Sequence, residues 1–174
     1  MTYFMSTFIK LSPSDQKNEL ENIVQTALAE LYQRDAYLIV HTPNDVRSEA
    51  REAHVCERAT VFRLGHYIDS LMRQNDYLQK YDLDCEYNRD EYNQKCLPDF
   101  PNGVYPDLII HKRGSNEYNI LVIEVKTWWN PNVVRDLDKL RGLVSSEHYR
   151  YRFGLSLTLE KNKPKLVWID PRGD

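Results

Sequence analysis

Residues 106–126, PDLIIHKRGSNEYNILVIEVK, contain two short apolar runs and a polar turn between them. Residues 108–110 and 120–123 are uninterrupted apolar runs of strand length, and the tetrapeptide RGSN between them is typical of a turn. Runs without polar alternation indicate strands that are buried on both faces, so helices must cover the sheet. The stretch predicts an α/β fold with two adjacent central strands over about residues 105–112 and 118–126.

The sequence on either side supplies the remaining elements. Ser12-Pro13 combines an N-cap residue with a proline at the first helical position, and apolar residues recur at helical spacing to about Tyr32. The same reasoning gives helices over about 46–72 and 132–145, a half-exposed strand from residue 83, and a long irregular loop over 90–104. Further strands are predicted over about 36–40, 151–159 and 165–170, which makes a central mixed sheet flanked by helices.

The composition excludes several classes of protein. A chain of 174 residues with 41% hydrophobic and 28% charged residues is neither collagenous nor disordered, and its length suits one domain over 1–174. No apolar run approaches the roughly 20 residues of a membrane helix, and no secretory signal precedes the first helix. Three cysteines without C-x-x-C spacing argue against disulfides or structural zinc, so we expect a reducing, cytoplasmic environment.

Three charged residues interrupt the apolar central strands. Asp107 begins the first strand, and Glu124 and Lys126 end the second, two residues apart and therefore on one face. If the strands form an antiparallel hairpin, Asp107 lies beside Glu124. Two adjacent carboxylates repel each other, whereas a divalent cation between them is coordinated, and oxygen ligands suit Mg²⁺ or Mn²⁺. Each residue also has an ordinary alternative, as a turn residue or half of a strand-end salt bridge.

Glu57 is a fourth candidate at this position in the fold. Stepping back one helical turn from Val61, on the stripe that continues through Leu64 and Ile68, places Glu57 on the side that faces the core. A buried carboxylate is unfavourable unless it is paired, protonated or bound to a metal. The spacing therefore predicts that Glu57 approaches Asp107 and Glu124.

The segment after Lys126 carries candidates for contact with a polyanion. Residues 126–174 hold 10 basic and 6 acidic side chains, whereas residues 1–125 hold 13 and 20. Trp128 and Trp129 can stack on unpaired bases, and Arg135 and Lys139 can contact phosphates. The alternative is that the tryptophans pack under the next helix and that the cations form surface ion pairs.

Pro106-Asp107, followed after sixteen residues by Glu124-Val125-Lys126, resembles the signature of the PD-(D/E)XK nuclease superfamily, which has the restriction-endonuclease-like fold. The resemblance implies a core order of helix, three strands, helix and strand, over residues 46–170, with 1–45 as an N-terminal helical elaboration. The neighbourhood of Glu57-Arg58 and the stretch 86–89, EYNR, also resemble an uncharacterised bacterial group of this superfamily.

The resemblance implies a function for each residue of the pattern. Asp107, Glu124 and Glu57 would bind Mg²⁺ or Mn²⁺, and Lys126 would orient the attacking water and stabilise developing charge. The expected activity is metal-dependent phosphodiester hydrolysis, with DNA as the expected substrate and a homodimer where both strands are cut. Two alternatives stay open, an RNA nuclease and a non-catalytic nuclease-like module that binds nucleic acid or protein.

Overall fold

The computed structural model describes residues 7–40 and 55–170, with a five-stranded mixed sheet at the centre. The strands are β1 Asp82–Cys85, β2 Arg89–Asp90, β3 Asn93–Gln94, β4 Leu108–His111, β5 Leu121–Thr127, β6 Phe153–Leu159 and β7 Lys165–Ile169. The sheet order is β1-β4-β5-β6-β7, in which β5 and β6 are parallel and all other neighbours are antiparallel. A separate hairpin consists of β2 and β3. The expected α/β class with a mixed sheet is confirmed.

The antiparallel pairing of the two central strands is also confirmed. Leu108 of β4 pairs with Ile123 of β5, and Ile110 pairs with Leu121. Asp107 directly precedes the first of these pairs and Glu124 directly follows it. The register therefore brings both carboxylate-bearing residues to the same end of the hairpin.

In the described part of the chain, three α-helices cover the two faces of the sheet: α1 Pro13–Arg34, α2 Glu57–Met72 and α3 Val134–Ser145. Ile123 belongs to an apolar cluster with residues of α1 and α2, whereas its neighbour Val122 belongs to a second cluster with residues of α3. This alternation follows from the two-residue period of a strand. Among the helices of the described segments, none combines the length and apolar character needed to cross a bilayer.

The structure corrects three expectations about local structure. The predicted strand over 36–40 is wrong, because the chain turns directly after α1 into a 3₁₀ helix, Ala36–Leu38, and the Ala36 carbonyl accepts hydrogen bonds from the N–H groups of Ile39 and Val40. The helix predicted over 46–72 begins at Glu57; residues 46–54 lie outside the described residues. The predicted loop 90–104 contains part of the β2–β3 hairpin, which Glu91 closes with a positive φ of 51°.

A buried lysine anchors the irregular segment that leads to Asp107. Lys95 is 1% exposed, and its ammonium group donates a hydrogen bond to the Tyr151 hydroxyl at 2.7 Å. The same nitrogen lies 5.0–5.8 Å from the ring centres of Tyr87, Tyr149 and Tyr151, within range of cation–π attraction. Burial lowers the pKa of Lys95 to about 8. These contacts attach the segment between β1 and β4 to the sheet.

Candidate active site

Six charged side chains converge where β4 begins, β5 ends and α2 begins, under the first turns of α3. Four of them, Glu57, Asp107, Glu124 and Lys126, are the catalytic and metal-binding candidates from the sequence. The other two come from α3: Lys139, which the sequence singled out for phosphate contact, and Asp136, which it did not. We call this group the carboxylate–lysine cluster: Glu57, Asp107, Glu124, Lys126, Asp136 and Lys139.

Asp107 is fixed by a backbone hydrogen bond. Its Oδ2 atom accepts a hydrogen bond from the N–H of Val125 at 2.7 Å, which ties the start of β4 to the end of β5. Burial raises the pKa of Asp107 to about 6, although this hydrogen bond and the charges of Lys126 and Lys139 act in the opposite direction. Asp107 is therefore held in one orientation in a poorly solvated position.

Glu124 is the most buried carboxylate of the cluster, with 2% of its side chain exposed. Its Oε2 atom accepts a hydrogen bond from the Lys139 ammonium group at 2.6 Å. Its Oε1 atom is buried and has no hydrogen-bond partner among the described residues. Burial, reinforced by the negative charge of Asp107, raises the pKa of Glu124 to about 8. An enclosed carboxylate oxygen without a partner is unfavourable and suits a cation.

Lys126 lies between two carboxylates from different helices. Its ammonium nitrogen is 3.1 Å from Oδ2 of Asp136 and 3.5 Å from Oε1 of Glu57. Burial alone would lower the pKa of Lys126, but the charges of Asp136, Glu57 and Asp107 outweigh it and raise the pKa. The side chain is therefore a positively charged ammonium near neutral pH, and it is suited to stabilising negative charge.

Glu57 is the first residue of α2 and faces the cluster, as the spacing from Val61 predicts. The Lys126 contact occupies its Oε1 atom, while its Oε2 atom is buried without a hydrogen-bond partner in the part of the chain that the structure describes. Glu57 also adds to the negative charge that acts on Asp107. The first turn of α2 thus brings a third carboxylate to the end of the β4–β5 hairpin.

Asp136 is the site residue that the sequence reasoning missed. It is 8% exposed, and besides its contact with Lys126 its Oδ1 atom lies 3.8 Å from the ammonium nitrogen of Lys139. The signal was present, because Asp136 lies one helical turn before the buried Leu140, the relation that identified Glu57 from Val61. Its neighbours at Arg135 and Lys139 suggested a surface ion pair instead.

The four candidates for nucleic-acid contact have different environments. Trp128 packs against the core. Its indole N–H donates a hydrogen bond to the Ile39 carbonyl at 2.8 Å, and the ammonium nitrogen of Lys161 lies 3.9 Å from its ring centre. Trp129 contacts Trp128 edge to face, and Arg135 lies over the Phe100 ring. Lys139 points into the cluster. Of these candidates, the structure therefore joins only Lys139 to the carboxylates.

The carboxylate–lysine cluster combines oxygen donor atoms with an excess of carboxylate groups. Four carboxylates and two ammonium groups have a formal charge of −2, and the donor atoms are oxygens, the ligands that Mg²⁺ and Mn²⁺ prefer. Within the described segments, no three His, Cys, Asp or Glu side chains form a group that could hold a metal ion by themselves. Mg²⁺ commonly binds through one or two carboxylates, with waters and substrate phosphates completing its coordination.

Comparisons with known proteins leave function to be inferred from the site. A scan against protein-family models, a search of curated proteins and a search of solved structures each give no match to the chain. Fold alone does not establish an activity, so the chemistry of the carboxylate–lysine cluster has to carry the inference.

Proposed function

We propose that this protein is a Mg²⁺- or Mn²⁺-dependent nuclease of the PD-(D/E)XK type, which hydrolyses phosphodiester bonds in DNA. The observation that carries the proposal is the convergence of Asp107, Glu124 and Lys126 at one end of the β4–β5 hairpin. Each interrupts or flanks an apolar strand, and the buried Oε1 atom of Glu124 has no hydrogen-bond partner among the described residues.

Asp107 and Glu124 are the residues that would hold the cation, with Glu57 supplying further negative charge. A cation bound there would supply Lewis-acid polarisation of the phosphate and would make water a better nucleophile. The carboxylates need no rearrangement of the backbone to present their oxygens, because Asp107 is fixed by the Val125 N–H and Glu124 by its place within β5. Groups that are already held in position can stabilise a transition state without a cost of reorganisation.

Lys126 would act through its charge. Its raised pKa keeps it protonated near neutral pH, so it would hydrogen-bond to the attacking water and the phosphate oxygens as a donor and stabilise the negative charge of the transition state. Asp136 and Glu57 hold this ammonium group from two sides. They are positioning residues in the proposal.

The order of elements supports the same assignment. Along the chain, α2, β1, β4, β5, α3 and β6 follow one another as helix, three sheet strands, helix and strand, with only the small β2–β3 hairpin inserted. This order is compatible with the one that the resemblance implies for the nuclease core. The resemblance also favours DNA over RNA as substrate.

A cleavage assay with matched variants tests the proposal. Purified protein is incubated with plasmid DNA, single-stranded DNA and structured RNA, each with Mg²⁺, Mn²⁺ or EDTA. The variant Asp107→Asn keeps an acceptor for the Val125 N–H but removes the charge, and Lys112→Met is the control at the opposite end of β4. We expect the wild type and Lys112→Met to cut DNA with Mg²⁺, and Asp107→Asn to be inactive.

Other outcomes identify the alternatives. Cleavage of RNA alone indicates a ribonuclease that uses the same site. If the protein binds nucleic acid but does not cleave it with Mg²⁺ or Mn²⁺, and Asp107→Asn binds as the wild type does, the assignment as an enzyme is overturned. That outcome indicates a non-catalytic module.

A further inference from the structure

Lys139 is the cluster residue that neither the resemblance nor the proposed chemistry uses as a site group. Its ammonium nitrogen lies 2.6 Å from Oε2 of Glu124 and 3.8 Å from Oδ1 of Asp136, and 14% of its side chain is exposed. It is therefore itself largely buried, and it contacts the most deeply buried carboxylate of the cluster.

This contact conflicts with cation binding at Glu124. A divalent cation at the free Oε1 atom would share this enclosed carboxylate with the ammonium group on Oε2, and the repulsion between the two positive charges in a buried site favours departure of the ammonium group. A lysine side chain has four rotatable methylene groups, so its ammonium group can leave without a change in the backbone. Asp136 is already within 4 Å and remains as its partner on α3.

We propose that Lys139 couples cation binding to substrate binding: its ammonium group stays hydrogen-bonded to Glu124 until a divalent cation binds that carboxylate, and it then contacts a phosphate group of the nucleic acid. This inference rests on the proposed function. Lys139, on α3, is then a second lysine of the site, and it binds phosphate only when the cation is in place. By linkage, the cation then strengthens nucleic-acid binding and nucleic acid strengthens cation binding.

A merely structural ion pair makes a different prediction. If Lys139 only attaches α3 to β5, its removal lowers the thermal stability but leaves the effect of the cation on nucleic-acid affinity unchanged. The effect of the cation on affinity is therefore the readout that separates the two roles.

The experiment measures two affinities for each variant at about pH 9, where the site carboxylates are ionised. Ca²⁺ affinity is measured by calorimetry, and affinity for a short fluorescein-labelled DNA duplex is measured by anisotropy with Ca²⁺ or EDTA. The variants are Lys139→Met, Lys139→Arg and the control Lys112→Met. Electrophoresis checks that the DNA remains intact.

Lys139→Met is expected to keep or raise the affinity for Ca²⁺, and Lys139→Arg is expected to lower it. Lys139→Met removes the competing charge, so Ca²⁺ binds as tightly as to the wild type or about tenfold more tightly. Lys139→Arg holds the carboxylate with a planar, bidentate donor, so Ca²⁺ binds about threefold more weakly. In Lys139→Met the gain in DNA affinity on adding Ca²⁺ falls about tenfold, whereas Lys112→Met keeps the wild-type gain.

Three results overturn the inference: no gain in DNA affinity with Ca²⁺ in the wild type, an unchanged gain in Lys139→Met, or loss of Ca²⁺ binding in Lys139→Met. If Lys139→Met does not fold, the direction of the Lys139→Arg shift decides. The proposed function is judged separately by Mg²⁺-dependent cleavage in the wild type and its loss in Asp107→Asn. An active wild type with unchanged coupling in Lys139→Met refutes this inference alone.

Discussion

The Oε2 atom of Glu124, on a central strand, and the ammonium nitrogen of Lys139, on the helix that covers it, lie 2.6 Å apart. Both side chains are largely buried, so truncating either one leaves a charged group without its partner. A substitution that preserves shape and hydrogen bonding, such as Glu124→Gln, is therefore more informative than alanine. The same holds for Asp107, whose carboxylate accepts the Val125 N–H.

Glu124→Gln should abolish Mg²⁺-dependent cleavage while preserving the fold. The glutamine oxygen still accepts from Lys139, but the negative charge that would bind the cation is lost. We expect the cleavage rate to fall at least about 100-fold and the unfolding temperature in EDTA to stay within roughly 5 °C of the wild type. Rate assays and thermal melts measure both. Retained activity in a folded Glu124→Gln protein would show that this carboxylate is not part of an active site.

Lys126→Met should reduce the cleavage rate much more than it reduces Mg²⁺ affinity. The ammonium group would serve the water and the phosphate, so its loss removes stabilisation of the transition state. We expect a rate loss of about 100-fold or more, with Mg²⁺ affinity by calorimetry equal to the wild type or tighter. If Mg²⁺ binding collapses instead, Lys126 organises the carboxylates and its role is structural.

Glu57→Gln should weaken Mg²⁺ binding without unfolding the protein. The change reduces the formal charge of the cluster from −2 to −1 and keeps an oxygen for Lys126. We expect Mg²⁺ affinity to fall about threefold to tenfold, with a parallel loss of cleavage at low Mg²⁺. Glu30→Gln, which alters an exposed ion pair on α1, is the control. Equal Mg²⁺ affinity in Glu57→Gln and the control would show that the charge of Glu57 does not contribute to Mg²⁺ binding.

The raised pKa values of Glu124 and Asp107 predict how stability depends on pH in EDTA. The folded protein holds protons on these groups up to about pH 8 and about pH 6, whereas the unfolded chain releases them near pH 4. Between about pH 5 and pH 8 the folded state binds more protons, so the free energy of unfolding decreases as pH rises.

Thermal melts across this range measure the decrease. We expect the wild-type unfolding temperature to fall by several degrees between about pH 5 and pH 8, and Glu124→Gln to show a clearly smaller fall. Added Mg²⁺ should reverse the trend, since it competes with protons for the same carboxylates. Identical pH dependence in the two proteins would contradict an elevated Glu124 pKa.

The central hairpin could be predicted from the sequence because its signals are local. Uninterrupted apolar runs, a polar turn and the two-residue period of strands were sufficient to place Asp107 beside Glu124. The segment 36–40 gave a misleading signal, because five mostly apolar residues do not distinguish a strand from the end of a helical turn. A strand would form here only beside a partner strand, and the described residues provide none for this segment.

The contribution of α3 to the site was harder to predict from the sequence than the central hairpin. Asp136 lies one helical turn before Leu140, on the buried side of α3. The charged residues next to Asp136 in the sequence nevertheless favoured a position on the surface. Lys139 was a candidate for phosphate contact, but its partner Glu124 is fifteen residues away on another element. Such a pairing depends on how α3 packs on the sheet, which sequence periodicity does not specify.

The most direct test of the central claim is a crystal structure of the protein soaked in Mn²⁺, with the metal located by anomalous scattering. We predict a peak at about 2.0–2.3 Å from carboxylate oxygens of both Asp107 and Glu124, with the Lys139 ammonium group moved away from Glu124. Absence of a peak at saturating Mn²⁺, with Lys139 still bonded to Glu124, would contradict a metal-dependent active site in this protein.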